Sequence, residues 1–158
     1  MEIRRTALIG RSAARTFDVI EAAERYPEFL PWCAQAVILA RDDRMVAARI
    51  TVDYRGVRFA FTTRNPKARP QWLRVQLQEG PFRRFEGEWR LRELAPHACK
   101  IEIDFRYEFG STLAGKLAAP VFDGITDKLV DAFVRRVEQQ PPEAGPPVDS
   151  QGNQGVSL

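Results

Sequence analysis

A stripe of large apolar residues near the C-terminal end constrains this chain most. Leu113, Leu117, Val121, Ile125, Leu129, Phe133 and Val137 recur every four residues between Ser111 and Gln139, and Phe122, Val130 and Val134 widen the stripe. Asp123, Asp127, Lys128, Asp131, Arg135 and Arg136 fall mostly on the other side. The spacing predicts one long amphipathic helix, about 40 Å if continuous at ~1.5 Å per residue. Ser111 or Thr112 is placed to cap its first turn. An interior proline costs about 3 kcal/mol in a straight helix, so Pro120 predicts a kink or a fresh start. Such a stripe needs a surface to receive it.

The rest of the chain supplies one. Glu2 to Ile9 reads as an edge strand, and Gly10-Arg11 breaks it before a helix from Ser12 as cap to about Glu24. Tyr26-Pro27-Glu28-Phe29-Leu30-Pro31-Trp32-Cys33 then crowds large apolar residues between two prolines, which predicts a short helix or tight turn with its aromatics inward. Beyond it the period changes to two. Strands are expected over Ala36 to Arg41, Met45 to Tyr54, Val57 to Asn65, Pro70 to Gln78, Phe82 to Leu94 and Cys99 to Phe109. Tyr54-Arg55-Gly56-Val57 reads as a tight hairpin, and Asn65-Pro66 as the end of its strand. Ile101, Ile103, Phe105, Tyr107 and Phe109 share one face, with Lys100, Glu102, Asp104, Arg106 and Glu108 on the other. Phe85, Gly87, Trp89 and Leu91 repeat this pattern, as do Val57, Phe59, Phe61 and Thr63. One face is therefore dry and aromatic, the other wet and charged. The order predicts an α+β domain, a curved antiparallel sheet of about seven strands wrapped around the C-terminal helix, with two short helices between strands 1 and 2.

Residues 1–140 read as that single domain. Residues 141–158 hold four prolines and three glycines with little apolar content, and are expected to be a disordered tail. The tail has Glu143 and Asp149 and no Lys or Arg, so the domain is more basic than the chain's net +3. No run approaches the ~18 apolar residues of a membrane span, and Met1-Glu2-Ile3-Arg4-Arg5 lacks the apolar core of a signal peptide. A cytoplasmic location is expected, with peripheral contact at the inner membrane as a further expectation. Cys33 and Cys99 fit no metal or redox spacing and read as buried reduced thiols.

Several segments together resemble the bacterial coenzyme Q-binding START-like proteins of the polyketide cyclase/dehydrase superfamily, a group that includes ribosome association toxins and is similar to a mitochondrial ubiquinone-binding protein. Tyr26 to Cys33 resembles the opening motif. Phe61 to Asn65, Gly80 to Phe85 and Trp89 look like the middle motifs, Ala98 to Ile101 with Asp104-Phe105 and Glu108-Phe109 like the last strand, and Pro120-Val121-Phe122 with Asp131-Ala132-Phe133 like the final helix. The resemblance spans about Ile3 to Glu138. It implies a helix-grip fold closed around a hydrophobic cavity.

The residues themselves offer a dry concave surface rather than a reaction centre. His97 is the only histidine and sits in a turn beside Pro96. No Ser-His-Asp set, metal-spaced cluster or phosphate-binding glycine loop is present in the sequence. The protein is expected not to be an enzyme and to need no cofactor, although related helix-grip domains include cyclases, so catalysis by cavity shape with one Tyr or Asp stays open. The expected ligand-binding residues are Tyr26, Phe29, Leu30, Trp32, Phe59, Phe61, Trp89, Phe105, Tyr107, Phe109, Val121, Phe122 and Ile125. A ubiquinone-type prenylquinone is the expected ligand, carried or chaperoned in support of respiration. Tyr26, Tyr107, the Trp89 indole and Arg64 are open alternatives as partners of its head group. The Tyr26–Trp32 turn and the Pro120 break are expected at a rim that touches membrane. The rival expectation, implied by the resemblance, is binding to the large ribosomal subunit and a block of subunit joining. Arg58, Arg83, Arg84, Arg90 and Arg92 would form that surface. DNA is not an expected partner.

Overall fold

The computed structural model describes residues 1–142. The chain forms β1 (Glu2–Ile9), α1 (Ala13–Glu21), a 3₁₀ turn (Ala23–Glu28), β2 (Cys33–Arg41), β3 (Met45–Tyr54), β4 (Val57–Ala68), β5 (Trp72–Glu79), β6 (Phe82–Ala95), β7 (Ala98–Phe109) and α2 (Leu113–Gln139). The seven strands make one antiparallel sheet in the order β1-β7-β6-β5-β4-β3-β2, so β1 is an edge strand, as expected. Consecutive hairpins account for every pairing except β1 with β7, which brings the two ends of the strand sequence together. The β3–β4 hairpin turns at Arg55 and Gly56, both with positive φ (53° and 80°), the backbone that matches the twist of the flanking strands. The Pro/Gly-rich tail expected from residue 141 lies outside the described residues, apart from Pro141 and Pro142.

Three boundaries differ from the sequence reading by about three residues, the others by two or fewer. β4 does not stop at Asn65-Pro66 but runs on to Ala68, with Pro66 opposite Met45. Pairing of β4 with β5 is interrupted between Thr63 and Lys67, so the N–H that Pro66 lacks removes no ladder bond on that side. Within the gap the Asn65 side-chain oxygen accepts from the Gln76 N–H at 3.4 Å. α1 ends at Glu21 rather than near Glu24, and the chain tightens into the 3₁₀ turn that carries Tyr26 and Pro27. β2 begins at Cys33, three residues earlier than the alternation indicated.

α2 runs without a break through Pro120, with Thr112 as its cap, its hydroxyl accepting from the Gly115 N–H at 3.1 Å. Pro120 and Lys116 are both exposed. Water can therefore serve the Lys116 carbonyl whose helical partner the proline removes. The buried face also differs from the expected stripe. Leu113 and Leu117 are 73% and 56% exposed, while Gly115, Ala118, Phe122, Ile125, Thr126, Val130, Phe133 and Val137 are buried. The reason is geometric. At 3.6 residues per turn, each step of four rotates about 40°, so six such steps wander about 240° around the helix. The face that meets the sheet alternates steps of three and four.

The core lies between the concave face of the sheet and α2, with α1 and the 3₁₀ turn closing one side. Phe122 is the hub of its aromatic part, within 6.3 Å of the rings of Phe59, Phe61, Phe82, Phe85, Tyr107 and Phe109. Gly87 permits one close approach: a Cβ there would fall 1.7 Å from Cδ1 of the Phe105 ring, which lies over β6. Cys33 and Cys99 are both buried and carry reduced thiols.

Candidate functional site

A partly open pocket of about 90 Å³ lies between α2 and the sheet. Its floor comes from β3 to β7, where the period-two pattern turns every second side chain inward. Its roof is the Phe122-to-Phe133 stretch of α2, and its side wall is the end of α1 with the 3₁₀ turn. The void is smaller than the ~300–1,000 Å³ of an open small-molecule site. The lining is mostly apolar, with Glu21, Tyr26, Thr63, Asn65, Trp89 and Thr126 as its polar members.

Eight of the expected residues line this void: Tyr26, Leu30, Trp32, Phe61, Trp89, Phe105, Phe122 and Ile125. Five do not. Phe29 packs behind the wall, edge-on to Phe133 at 5.2 Å and to Tyr26 at 5.9 Å. Phe59 and Phe109 belong to the aromatic cluster around Phe122, where Phe82 and Phe109 stack at 4.3 Å. Val121 is half-buried against the core. Tyr107 faces α2 beyond the void, and its hydroxyl donates to Asp123 Oδ1 at 2.5 Å with Thr126 Oγ1 at 3.4 Å.

Sequence reasoning missed part of the lining. Phe85, Leu73, Val46 and Ile50 were all in phase with the dry face, and Phe133 stood on the helix stripe, so the signal for them was in the alternation and the stripe. Thr63 also shared the phase of Phe59 and Phe61. Glu21, Asn65 and Thr126 carried no sequence signal for a place in the lining.

The polar groups around the void fall into two kinds. Most are already committed. The Tyr26 hydroxyl donates to the Ile20 carbonyl at 2.5 Å, and burial pushes its phenol well above the ordinary range. Tyr107 is pushed up in the same direction, first by burial and then by its bond to Asp123. Cys33 is raised by burial to about 11, so it stays a thiol. Glu21 closes one end of the void by accepting from Lys67 Nζ at 2.9 Å and Arg41 Nε at 2.8 Å, and Arg41 also reaches Glu24 at 2.7 Å. The bond from Arg41 holds the Glu24 carboxyl below its ordinary range. This charged collar ties α1, the 3₁₀ turn, β2 and β4 together. By contrast, among the described residues the Thr63 hydroxyl and the Trp89 indole make no hydrogen bond, and both residues line the void. Arg64, the remaining expected head-group partner, is exposed on the outer face.

Among the described residues no group of three or more His, Cys, Asp or Glu side chains is placed to hold a metal, and His97 lies exposed in the β6–β7 turn. No described helix is long and apolar enough to cross a membrane. Trp32 and Phe29 are half-buried and turned inward, while Pro120 is exposed on α2.

The family model described as polyketide cyclase / dehydrase and lipid transport matches residues 9–134. A ribosome association toxin of Pseudomonas aeruginosa is 34% identical over 137 residues, covering 87% of this chain and 95% of the relative. A mitochondrial coenzyme Q-binding protein of Drosophila melanogaster is 24% identical over 144 residues, covering 89% of this chain and 58% of the relative. Among solved structures, an aromatase/cyclase from a Streptomyces species superposes with a TM-score of 0.75 at 16% identity, covering 88% of this chain and 94% of that one. A START superfamily protein from Mycobacterium smegmatis superposes with a TM-score of 0.71 at 23% identity, covering 87% and 97%. These two show the fold alone: the helix-grip arrangement expected from the sequence.

Proposed function

The chain belongs to the polyketide cyclase / dehydrase and lipid transport family, and from that membership we propose that its cavity binds a hydrophobic small molecule, a prenylquinone, without carrying out chemistry on it. The observation that carries this reading is an unfilled apolar void at the centre of the domain. A void of about 90 Å³ destabilises a packed core by roughly 2 kcal/mol at ~24 cal/mol per Å³. An occupant recovers that energy. The Trp89 indole and the Thr63 hydroxyl are the uncommitted donors for a quinone carbonyl. The void is too small for a whole prenylquinone, so a full ligand enters only as α2 or the 3₁₀ turn moves outward. Each methylene buried then contributes up to about 0.8 kcal/mol.

Solvent extraction of the purified protein followed by mass spectrometry tests this, with titration by decylubiquinone read as quenching of tryptophan fluorescence. A co-purifying quinone and saturable quenching are expected. No extracted lipid together with unsaturable quenching overturns the reading.

A second reading is favoured by the relatives that are named ribosome association toxins: this chain associates with the ribosome, at the large subunit, and blocks subunit joining. Overexpression followed by polysome profiling tests it, since unchanged subunit joining refutes it. The coenzyme Q relative covers 89% of this chain and the Pseudomonas toxin relative 87%, so the two readings concern one domain.

A further inference from the structure

We propose that the groove between α1, the 3₁₀ turn and the C-terminal end of α2 binds the phosphate backbone of single-stranded RNA. This deepens the ribosome-directed reading, on which it rests, by giving it a contact surface. The groove has a volume of about 540 Å³ and is lined by Arg15, Arg25, Arg69 and Arg136 together with Asp18 and Phe29. The four guanidinium groups come from four parts of the chain: α1, the 3₁₀ turn, the β4–β5 connection and α2.

Two carboxylates hydrogen-bond to three of these four cations, and of the two only Asp18 lines the groove. Asp18 accepts from Arg69 twice, at 2.7 and 3.0 Å, while Glu28 accepts from Arg25 at 3.0 Å and Arg136 at 2.5 Å. Arg15 is held by the neutral carbonyl of Pro141. Net positive charge remains in the groove. The outer face of the sheet differs in its ratio of charges, because there Arg58, Arg83, Arg84 and Arg90 each meet a different carboxylate, in Asp53, Glu108, Glu86 and Glu88. These are four of the five arginines the sequence put forward for ribosome contact; the fifth, Arg92, has no ion pair among the described residues, and the pairing of the other four weakens the field they present.

The pairs in the groove also fix the forks without exhausting them. Arg69 spends Nε and Nη2 on Asp18, which leaves Nη1 to donate, and Arg136 spends Nη2 on Glu28. A guanidinium held this way presents its remaining N–H groups to a phosphate in a set geometry. Arg136 lies 5.0 Å over the Phe29 ring. Its open face is a platform on which an unpaired base can stack. Phe29 itself is turned onto Phe133, so it does not project as an anchor for acyl chains.

The test uses the full chain and a fluorescein-labelled single-stranded RNA of about 20 nucleotides, read by anisotropy between about 50 and 200 mM salt. Four phosphate contacts predict a slope of log K against log salt near −2.8, at about −0.7 per contact. The Arg25→Gln/Arg69→Gln pair is expected to make that slope shallower by about 1.4 and to lower affinity about 60-fold at ~50 mM salt and about tenfold at ~200 mM. Arg25→Lys/Arg69→Lys, which keeps the charge, should keep the slope, as should Arg84→Gln/Arg90→Gln on the sheet. Absence of RNA binding by the unaltered chain overturns the proposal, as does equal loss from the groove and sheet pairs. It also fails if the groove pair abolishes binding to phosphatidylglycerol vesicles while leaving RNA binding intact. Co-sedimentation with purified large ribosomal subunits separates the two levels. An unaltered chain that binds RNA through the groove but not the subunit refutes the ribosome reading alone. Undiminished sedimentation of the groove variant refutes the groove alone.

Discussion

Filling the void should stabilise the protein and silence it at once. Ala48 is 2% exposed and lines the cavity from the centre of β3. Ala48→Ile adds three carbon groups there in a residue type that suits a strand. At ~0.8 kcal/mol per buried methylene the gain is about 2.4 kcal/mol. The void itself gives nearly the same figure, about 2 kcal/mol, from its ~90 Å³ at ~24 cal/mol per Å³. For a domain of this length, ~2 kcal/mol corresponds to a rise in Tm of about 4–8 °C. Calorimetry on the extracted, ligand-free protein reads the shift, and decylubiquinone titration reads the loss of binding. The control is Ala118→Ile, because Ala118 is 1% exposed in α2 and does not line the void. Overpacking there should destabilise by about 1–3 kcal/mol. If Ala48→Ile destabilises as much as the control, the void is not fillable space. If it stabilises yet leaves quinone affinity unchanged, the ligand does not bind between α2 and the sheet.

Other parts of the site give sharper local tests. Gly87→Ala places a methyl against the Phe105 ring and should destabilise by about 1–3 kcal/mol with a changed near-ultraviolet circular dichroism spectrum, as the ring that lines the void is displaced. Tyr107→Phe removes the hydroxyl that donates to Asp123 and should lower the urea midpoint by the equivalent of about 1–3 kcal/mol, since half-buried Asp123 loses its donor. The folded-state pKa of Glu24 lies below its ordinary 4.5, first through its bond from Arg41, so its stabilising contribution is complete above about that value and disappears as pH falls through the lower folded one. Glu24→Gln should therefore be less stable than the unaltered chain at neutral pH, with the difference closing in acid. A gap that widened in acid would contradict the assignment.

The sheet was legible because its physics is local. Alternation such as Ile101-Glu102-Ile103-Asp104 sets which face is dry without any knowledge of partners. The places where the reading failed depend on neighbours. Pro66 looked like a strand end because only the three-dimensional pairing shows that the β4–β5 ladder is interrupted there and resumes at Lys67. Leu113 and Leu117 matched a four-residue repeat, but a repeat says nothing about where the sheet ends beneath the helix. The cavity was legible in kind through Phe61, Trp89 and Phe122, yet not in extent, because side-chain volume and sheet curvature decide what is left vacant. Glu21 could not have been found at all. A glutamate at the end of a short helix is ordinary in sequence, and only Lys67 and Arg41 arriving from β4 and β2 make it the closing piece of an apolar chamber.

The 3₁₀ turn makes the two proposed activities physically inseparable. Its Tyr26 and the adjoining Leu30 and Trp32 form the cavity wall, while Arg25 and Phe29 from the same stretch form the groove. Phe29 lies edge-on to Phe133, which faces the void, and carries Arg136 on its other side. A ligand long enough to widen the chamber must displace this wall, and the guanidinium groups on its outer side move with it. Any resulting change in RNA affinity must be matched by an equal change in quinone affinity when RNA is bound, because the coupling free energy is shared. Anisotropy titrations with and without saturating decylubiquinone, compared with quinone titrations with and without RNA, measure both halves of that cycle. Equal factors other than one are the expected result. A factor of one in both directions would mean that the wall does not move when the chamber fills, and that the void seen here is the whole of the ligand's space.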